Sequence, residues 1–304
     1  MTESVVVTGG SGFIGRAVVR ALRAAGLPVV VVDRTAFPAR DPGVRSVVGD
    51  LADPEIRSTA VAEGSAGIVH LAAITSVLRS IDHPAETFHT NVVLTHELLE
   101  LARRRNVPRF FLASTNAVVG DIGQDVIRED VPLYPLTPYG ATKAAAEALL
   151  WGYGGAYGMS NAVLRFTNVY GPGMEAKDSF VPRLMRAAIA DEGVEVYGDG
   201  KQRRDLVHCA DIAAGLVQAW QRGFTGTAIL GSGRSNTVLE IIDAVREVTA
   251  APLPVRHVPA KSGEMPAVIV DISRARAEFG YRPTMTLVEG LATVWAEFAP
   301  AKAD

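Results

Sequence analysis

The chain has one cysteine, Cys209, so no intramolecular disulfide can form and a thiolate metal site is excluded. Its six histidines show no HxH or HxxxH spacing, which removes the other common metal framework; no metal is expected. A large excess of either charge is missing too. Thirty Lys and Arg face 33 Asp and Glu, a net charge of −3, so nothing draws the chain to nucleic acid or to an anionic membrane. No apolar run approaches the ~20 residues that a bilayer-spanning helix needs. Met1 leads directly into Ser4-Val5-Val6-Val7-Thr8, without a basic n-region, an apolar h-region or a small-residue cleavage site. The expectation is a cytoplasmic protein with neither membrane nor nucleic-acid partners.

The 304 residues are 48% hydrophobic and 21% charged, an ordinary globular balance. Val5–Val7, Val29–Val32, Val47-Val48, Ile68–Leu71 and Phe110–Ala113 are apolar without alternation, as strands buried on both faces must be. Helical patterns lie between them, clearest at Phe13–Ala25, Ala85–Arg105 and Tyr139–Tyr157. Ala162–Phe166 reads as a sixth strand. Strand-helix-strand alternation predicts an α/β fold with a doubly wound parallel sheet of the Rossmann kind. After Tyr170-Gly171-Pro172-Gly173 the pattern loosens, with helices expected at Phe180–Ala190, Asp211–Gln221, Val238–Val248, Ser273–Phe279 and Leu287–Phe298. The expected division is residues 1–168 plus about 205–232 for the dinucleotide domain. Residues from about 169–204 plus 233–304 form a smaller α/β substrate-binding domain.

Gly9, Gly12 and Gly15 punctuate the turn from the first strand to the first helix. Glycines let the backbone turn tightly and approach a pyrophosphate, while the helix start offers unpaired N–H donors. A glycine pattern alone is weak, since any strand-to-helix turn can be glycine-rich. Asp33 strengthens it: it ends the second strand, 18 residues after Gly15, where a carboxylate can accept from ribose hydroxyls. It would repel a 2′-phosphate and so favours NAD, whereas the adjacent Arg34 could pair with one. Read blandly, Asp33 is a solvated turn acid.

Tyr139 and Lys143 stand at i and i+4, on one face of a helix. A free tyrosine, with a pKa of about 10, is a poor base at neutral pH. A nearby ammonium and an oxidised nicotinamide would stabilise its phenolate. An isolated YxxxK match is more often a surface pair, but here it opens the helix after the fifth strand. Ser114-Thr115 end that strand, and Thr115 could relay the proton or simply cap the strand end.

With these residues the chain resembles the extended short-chain dehydrogenase/reductases. More narrowly, it resembles the NAD-dependent sugar-nucleotide epimerase/dehydratase family typified by UDP-glucose 4-epimerase. The resemblance runs from Thr8 to about Gly290. It implies NAD held by Gly9, Gly12, Phe13, Ile14, Gly15, Asp33, Arg34, Asp50, Leu51, Leu71, Ala72, Ala73, Asn91, Tyr139 and Lys143. It also implies catalysis by Thr115, Tyr139 and Lys143. A nucleoside-diphosphate sugar, a UDP-sugar first, would meet Thr75, Ser80, Thr115, Asn168, Val181, Arg204 and Lys261. Asn168 falls in Leu164–Pro172, similar to the family's substrate segment. By position Arg204 rather than Arg203 is the phosphate-gripping arginine, a fork suited to diphosphate. Lys261 stands where the family usually has arginine and lacks that fork.

Departures narrow the chemistry. Thr115-Asn116-Ala117 replaces the Thr-Asp-Glu of the family's 4,6-dehydratases, removing the acid and base for elimination. Cys209 lies far from the segment where 3,5-epimerases carry a catalytic cysteine. C4 oxidation and re-reduction remain, predicting a 4-epimerase. A one-way NAD(P)H-dependent 4-keto-sugar reductase is the nearest alternative, and a non-catalytic dinucleotide sensor comes from a different class. His70 is expected as packing, His208 as a structural hydrogen-bonder, and His83, His89 and His96 on the surface. The resemblance also implies a homodimer.

Overall fold

The structure, a computed structural model, describes residues 4–259 and 265–299. In chain order the first half runs β1 (Val5–Thr8), α1 (Phe13–Ala24), β2 (Val29–Asp33), β3 (Val44–Val48), α2 (Pro54–Ala60) and β4 (Gly67–His70). There follow α3 (Val77–Asp82), α4 (Pro84–Phe88), α5 (Leu94–Arg104), β5 (Arg109–Thr115), β6 (Val126–Ile127), α6 (Pro138–Tyr157) and β7 (Ser160–Phe166). Next come β8 (Asn168–Tyr170), α7 (Phe180–Ala190), β9 (Val194–Tyr197), β10 (Arg203–His208), α8 (Cys209–Gln221) and β11 (Gly226–Leu230). The chain ends with β12 (Ser235–Thr237), α9 (Val238–Thr249), β13 (Val255–Val258), β14 (Ile269–Val270), α10 (Ser273–Phe279) and α11 (Leu287–Phe298).

Seven strands form one parallel sheet in the order β11-β7-β5-β4-β1-β2-β3. The expected Rossmann-like architecture is therefore present. Val5, Val6 and Val7 are fully buried, and the two faces explain why. Val5 and Val7 pack with Val18, Leu22, Ile212 and Leu216 on one side, whereas Val6 packs with Leu98, Leu99, Ala146 and Leu150 on the other. Burying a valine side chain contributes about 1.5–3 kcal/mol, so a two-sided strand gains from every residue and has no use for alternation.

The chain moves from β1 outward to β2 and β3, then returns to place β4 on the other side of β1. That reversal opens a crevice at the carboxyl ends of β1 and β4, where open α/β sheets bind ligands. A third core, with Leu184, Met185, Ile241, Val245, Leu291 and Val294, lies beneath α7, α9 and α11. Small sheets accompany it: β12-β10-β8, β13-β9 and β14-β6.

Two expectations need correction. The helix expected over Ala85–Arg105 is α4 and α5 joined by a π turn at His89–Val93, preceded by the separate helix α3. The strand β11, which extends the main sheet beyond β7, was not expected as a strand. Among the described residues, no helix is long and apolar enough to cross a membrane.

Candidate active site

A cleft of about 1240 Å³ runs from the glycine turn to β10 and α7. It exceeds the ~300–1,000 Å³ typical for one small ligand, leaving room for a dinucleotide and a second molecule. Gly9, Gly12, Phe13, Ile14 and Gly15 line one end, with Asp33, Arg34, Asp50 and Leu51 beside them and Leu71, Ala72 and Ala73 from the end of β4.

Gly9 and Gly15 are sterically required. Gly9 has φ +71° and its added Cβ would lie 2.8 Å from the Ala72 nitrogen, while a Cβ on Gly15 would collide with the Gly9 carbonyl oxygen. Gly12 is the N-cap of α1 and brings no side chain to its donors, and no acid stands in the first turn. An anion at this helix start would meet both the free N–H groups and the positive end of the helix. Asp33 accepts from the Ser11 N–H at 3.1 Å, which ties the end of β2 to the loop. These residues fit a dinucleotide: a cradle that any Cβ would fill, and an acid at its ribose end.

The reactive end is built on α6. Thr137 caps the helix by accepting from the Gly140 N–H at 3.2 Å, and Pro138 occupies its first turn. Tyr139 is thereby fixed in that turn with Lys143 one turn on, both lining the cleft with Thr115. The Thr115 hydroxyl accepts from the Ala117 N–H at 3.2 Å and stands beside the Tyr139 phenol. Burial pushes the phenol up to about 12, opposed by the Thr115 hydrogen bond. This differs from the expected lowering by Lys143. Lys143 is itself desolvated and brought down to about 8, with the Glu147 carboxylate pulling it back up. The chain alone assembles the base without activating it.

Two expected ligand contacts do something else. Ser80 is fully buried and does not line the cleft; its Oγ donates to the Val77 carbonyl at 2.6 Å and accepts from the Tyr139 N–H at 3.1 Å. Asn91 sits in the π turn, also away from the lining. Its Oδ1 accepts from the Ile74 N–H, and its Nδ2 donates to the Ile74 carbonyl and to Thr142 Oγ1. Both amide protons of Asn91 are thus spent on the chain. These side chains brace the loop after β4 and the start of α6 rather than facing a ligand.

Thr75, Asn168, Val181 and Arg204 do line the cleft, and Lys261 lies outside the described residues. Asn168 Nδ2 donates to the Asp205 carbonyl at 3.1 Å, joining β8 to β10. Arg204 reaches the lining whereas Arg203 does not. His70 is buried between Thr8 and Thr95 at 2.7 and 3.0 Å. Because Thr95 donates to the Asn91 carbonyl, His70 Nε2 donates to Thr95 and its Nδ1 accepts from Thr8. Burial lowers its pKa to about 3, keeping the ring neutral. His208 caps α8 by accepting from the Ala210 N–H.

One network was not foreseen. Glu147 on α6 and Arg165 on β7 form a buried ion pair at 2.8 Å, and Ser114 donates to the same carboxylate at 2.5 Å. Arg165 also donates to the Glu129 carbonyl at 3.1 Å. Lys177, Phe180 and Tyr197 line the cleft as well.

A parallel sheet with a glycine cradle at its switch point and a Thr-Tyr-Lys group across the cleft defines a dinucleotide-dependent enzyme. Residues 5–230 match the model of the NAD dependent epimerase/dehydratase family. The chain belongs to that family, and its cofactor is NAD. It is 33% identical to a dTDP-glucose 4,6-dehydratase of Streptomyces niveus, covering 94% of this chain and 90% of the relative. The Thermus thermophilus UDP-glucose 4-epimerase in complex with NAD superposes with a TM-score of 0.88 at 32% identity, covering 98% of this chain and 99% of that one. MoeE5 in complex with UDP-glucuronic acid and NAD gives a TM-score of 0.86 at 36% identity, with 97% and 99% covered.

Proposed function

We propose that this enzyme epimerises a nucleoside-diphosphate hexose at C4, with a UDP-sugar as substrate, through a transient 4-ketose. One observation carries the reading: Thr115 and Tyr139 stand together on the cleft wall while Asn116-Ala117, also in the lining, present no carboxylate. Proton removal from a hydroxyl is provided for; elimination of water is not. Tyr139 takes the C4 hydroxyl proton, Thr115 holds that oxygen, and Lys143 supplies positive charge beside them. Held by the Gly9–Gly15 turn and Asp33, NAD would supply the site that takes up the C4 hydride and gives it back. UDP-sugar complexes among the structural relatives support the substrate class. Incubating the purified enzyme with a panel of UDP-sugars, without added reductant, should yield C4 epimers by NMR. Product formed only with added NADH would instead mark a 4-keto-sugar reductase.

In this reading residues 1–168 plus about 205–232 hold NAD, and about 169–204 plus 233–304 hold the nucleotide sugar. Asp33 selects NAD by accepting from the adenosine ribose, so NAD should bind at least tenfold more tightly than NADP in a titration. Tighter NADP binding would move the selecting role to Arg34. Arg204 grips the substrate diphosphate. Arg204→Ala should weaken UDP-sugar binding by roughly 2–5 kcal/mol in calorimetry while leaving NAD content unchanged. An unaltered substrate affinity would remove Arg204 from the site. The apolar groove formed by Val92, Ala148, Leu149, Tyr153 and Tyr157 on and beside α6 is the face through which a homodimer would form.

A further inference from the structure

The backbone between Pro172 and Phe180 is pinned from several sides. Arg16 on α1 donates to the Gly173 carbonyl at 3.1 Å, and Glu297 on α11 accepts from the Gly173 N–H at 2.5 Å. Arg186 on α7 donates to the carbonyls of Glu175 and Lys177, each at 3.1 Å. The Lys177 N–H donates to the Met174 carbonyl at 2.9 Å, closing the turn. The position from which the Lys177 side chain departs is therefore well defined.

That side chain crosses to the cofactor end of the cleft. Its Nζ lies 5.3 Å from the centroid of the Phe13 ring, and both residues line the cavity. Phe13 is the first residue of α1, whose N-cap Gly12 offers no capping side chain and whose first turn has no acid. An ammonium and the positive end of a helix thus converge on one corner. Among the described residues, no carboxylate forms an ion pair with Lys177; the neighbouring Asp178 is engaged by Arg183 at 2.6 Å and Arg186 at 3.8 Å. Partial desolvation in the cleft pulls the Lys177 pKa below the ordinary lysine value, while the residue keeps an exposed surface. A cation–π contact is too weak to compensate two positive groups brought to one corner. An anion between them would.

We propose that Lys177 closes over the diphosphate of the bound dinucleotide, opposite the donors of the Gly9–Gly15 turn. The nucleotide's charge is then neutralised from both sides: by backbone N–H groups of the first domain, and by one lysine reaching over from the segment after β8. This rests on NAD as the cofactor and not on 4-epimerisation, so either reading can fail alone.

The test is calorimetry on nucleotide-stripped protein with NAD, ADP, adenosine and UDP as separate probes. Lys177→Gln should weaken NAD and ADP about tenfold or more, the worth of one charge-assisted contact. Adenosine and UDP should bind as to wild type. Lys177→Arg should recover most of the loss, and the salt dependence of ADP binding should flatten in the glutamine variant. NAD and ADP affinities within twofold of wild type would overturn the assignment. Loss confined to UDP would also overturn it, by placing the lysine on the substrate diphosphate instead.

Discussion

Tyr139→Phe should lower turnover by about 10²–10⁴-fold while the protein folds normally and retains NAD. The ring and its packing are kept; only the hydroxyl beside Thr115 is lost. The pH dependence of the wild-type phenol should be equally informative. Burial holds it at about 12 in the chain alone, so at neutral pH the cofactor-free protein keeps Tyr139 protonated. Positive charge entering the cleft favours the phenolate and must lower that value. Phenolate absorbance should therefore appear at lower pH in the NAD⁺-loaded enzyme than in the cofactor-free one. Equal titration of the two forms would separate Tyr139 from the nicotinamide end of the cleft. Near-normal turnover by the phenylalanine variant would remove it from the mechanism.

The second large effect is on stability. Glu147→Ala should destabilise the fold by about 3–5 kcal/mol, because it strands the buried Arg165 guanidinium without its partner. Ser114 Oγ would lose its acceptor in the same substitution. Denaturant unfolding measures this directly, and a loss below about 1 kcal/mol would mean that the pair is not sealed from water. Glu147→Gln separates architecture from electrostatics, since it keeps hydrogen-bonding capacity but removes the charge. The Glu147 carboxylate raises the Lys143 pKa, so its loss should bring that value below about 8. Lys143 would then lose its proton at lower pH, and the alkaline limb of the pH–rate profile should move downward. An unmoved limb would leave Glu147 with a structural role only.

Much of the site was legible because its signals are local. Gly9, Gly12 and Gly15 sit within one turn, and Tyr139 and Lys143 within one helical repeat, so spacing alone brings each set together. The non-alternating valines of β1 and β2 likewise report burial on both faces without reference to the rest of the chain. Contacts made between distant elements left no such trace. Glu147 and Arg165 meet only because α6 packs against the sheet, and β6 finds β14 only in the folded chain. Ser80 and Asn91 illustrate a subtler difficulty. Their residue types suit ligand contact, yet their hydrogen bonds close on Tyr139, Ile74 and Thr142, and no spacing rule separates a bracing polar side chain from an exposed one. The π turn around Asn91 was hidden for a related reason: one extra residue in a helical turn hardly disturbs the apolar periodicity of α4 and α5. Lys177 could have been noticed as the one cation between Gly173 and Asp178, but nothing in the sequence joins it to Phe13.

C4 epimerisation requires that hydride leave C4 and return to the same carbon without net loss of water. A UDP-hexose carrying deuterium at C4, incubated with the purified enzyme and no added reductant, tests it most directly. The expected product is a C4 epimer of unchanged mass with the deuterium still at C4. A product lighter by one water, or deuterium displaced from C4, would contradict it.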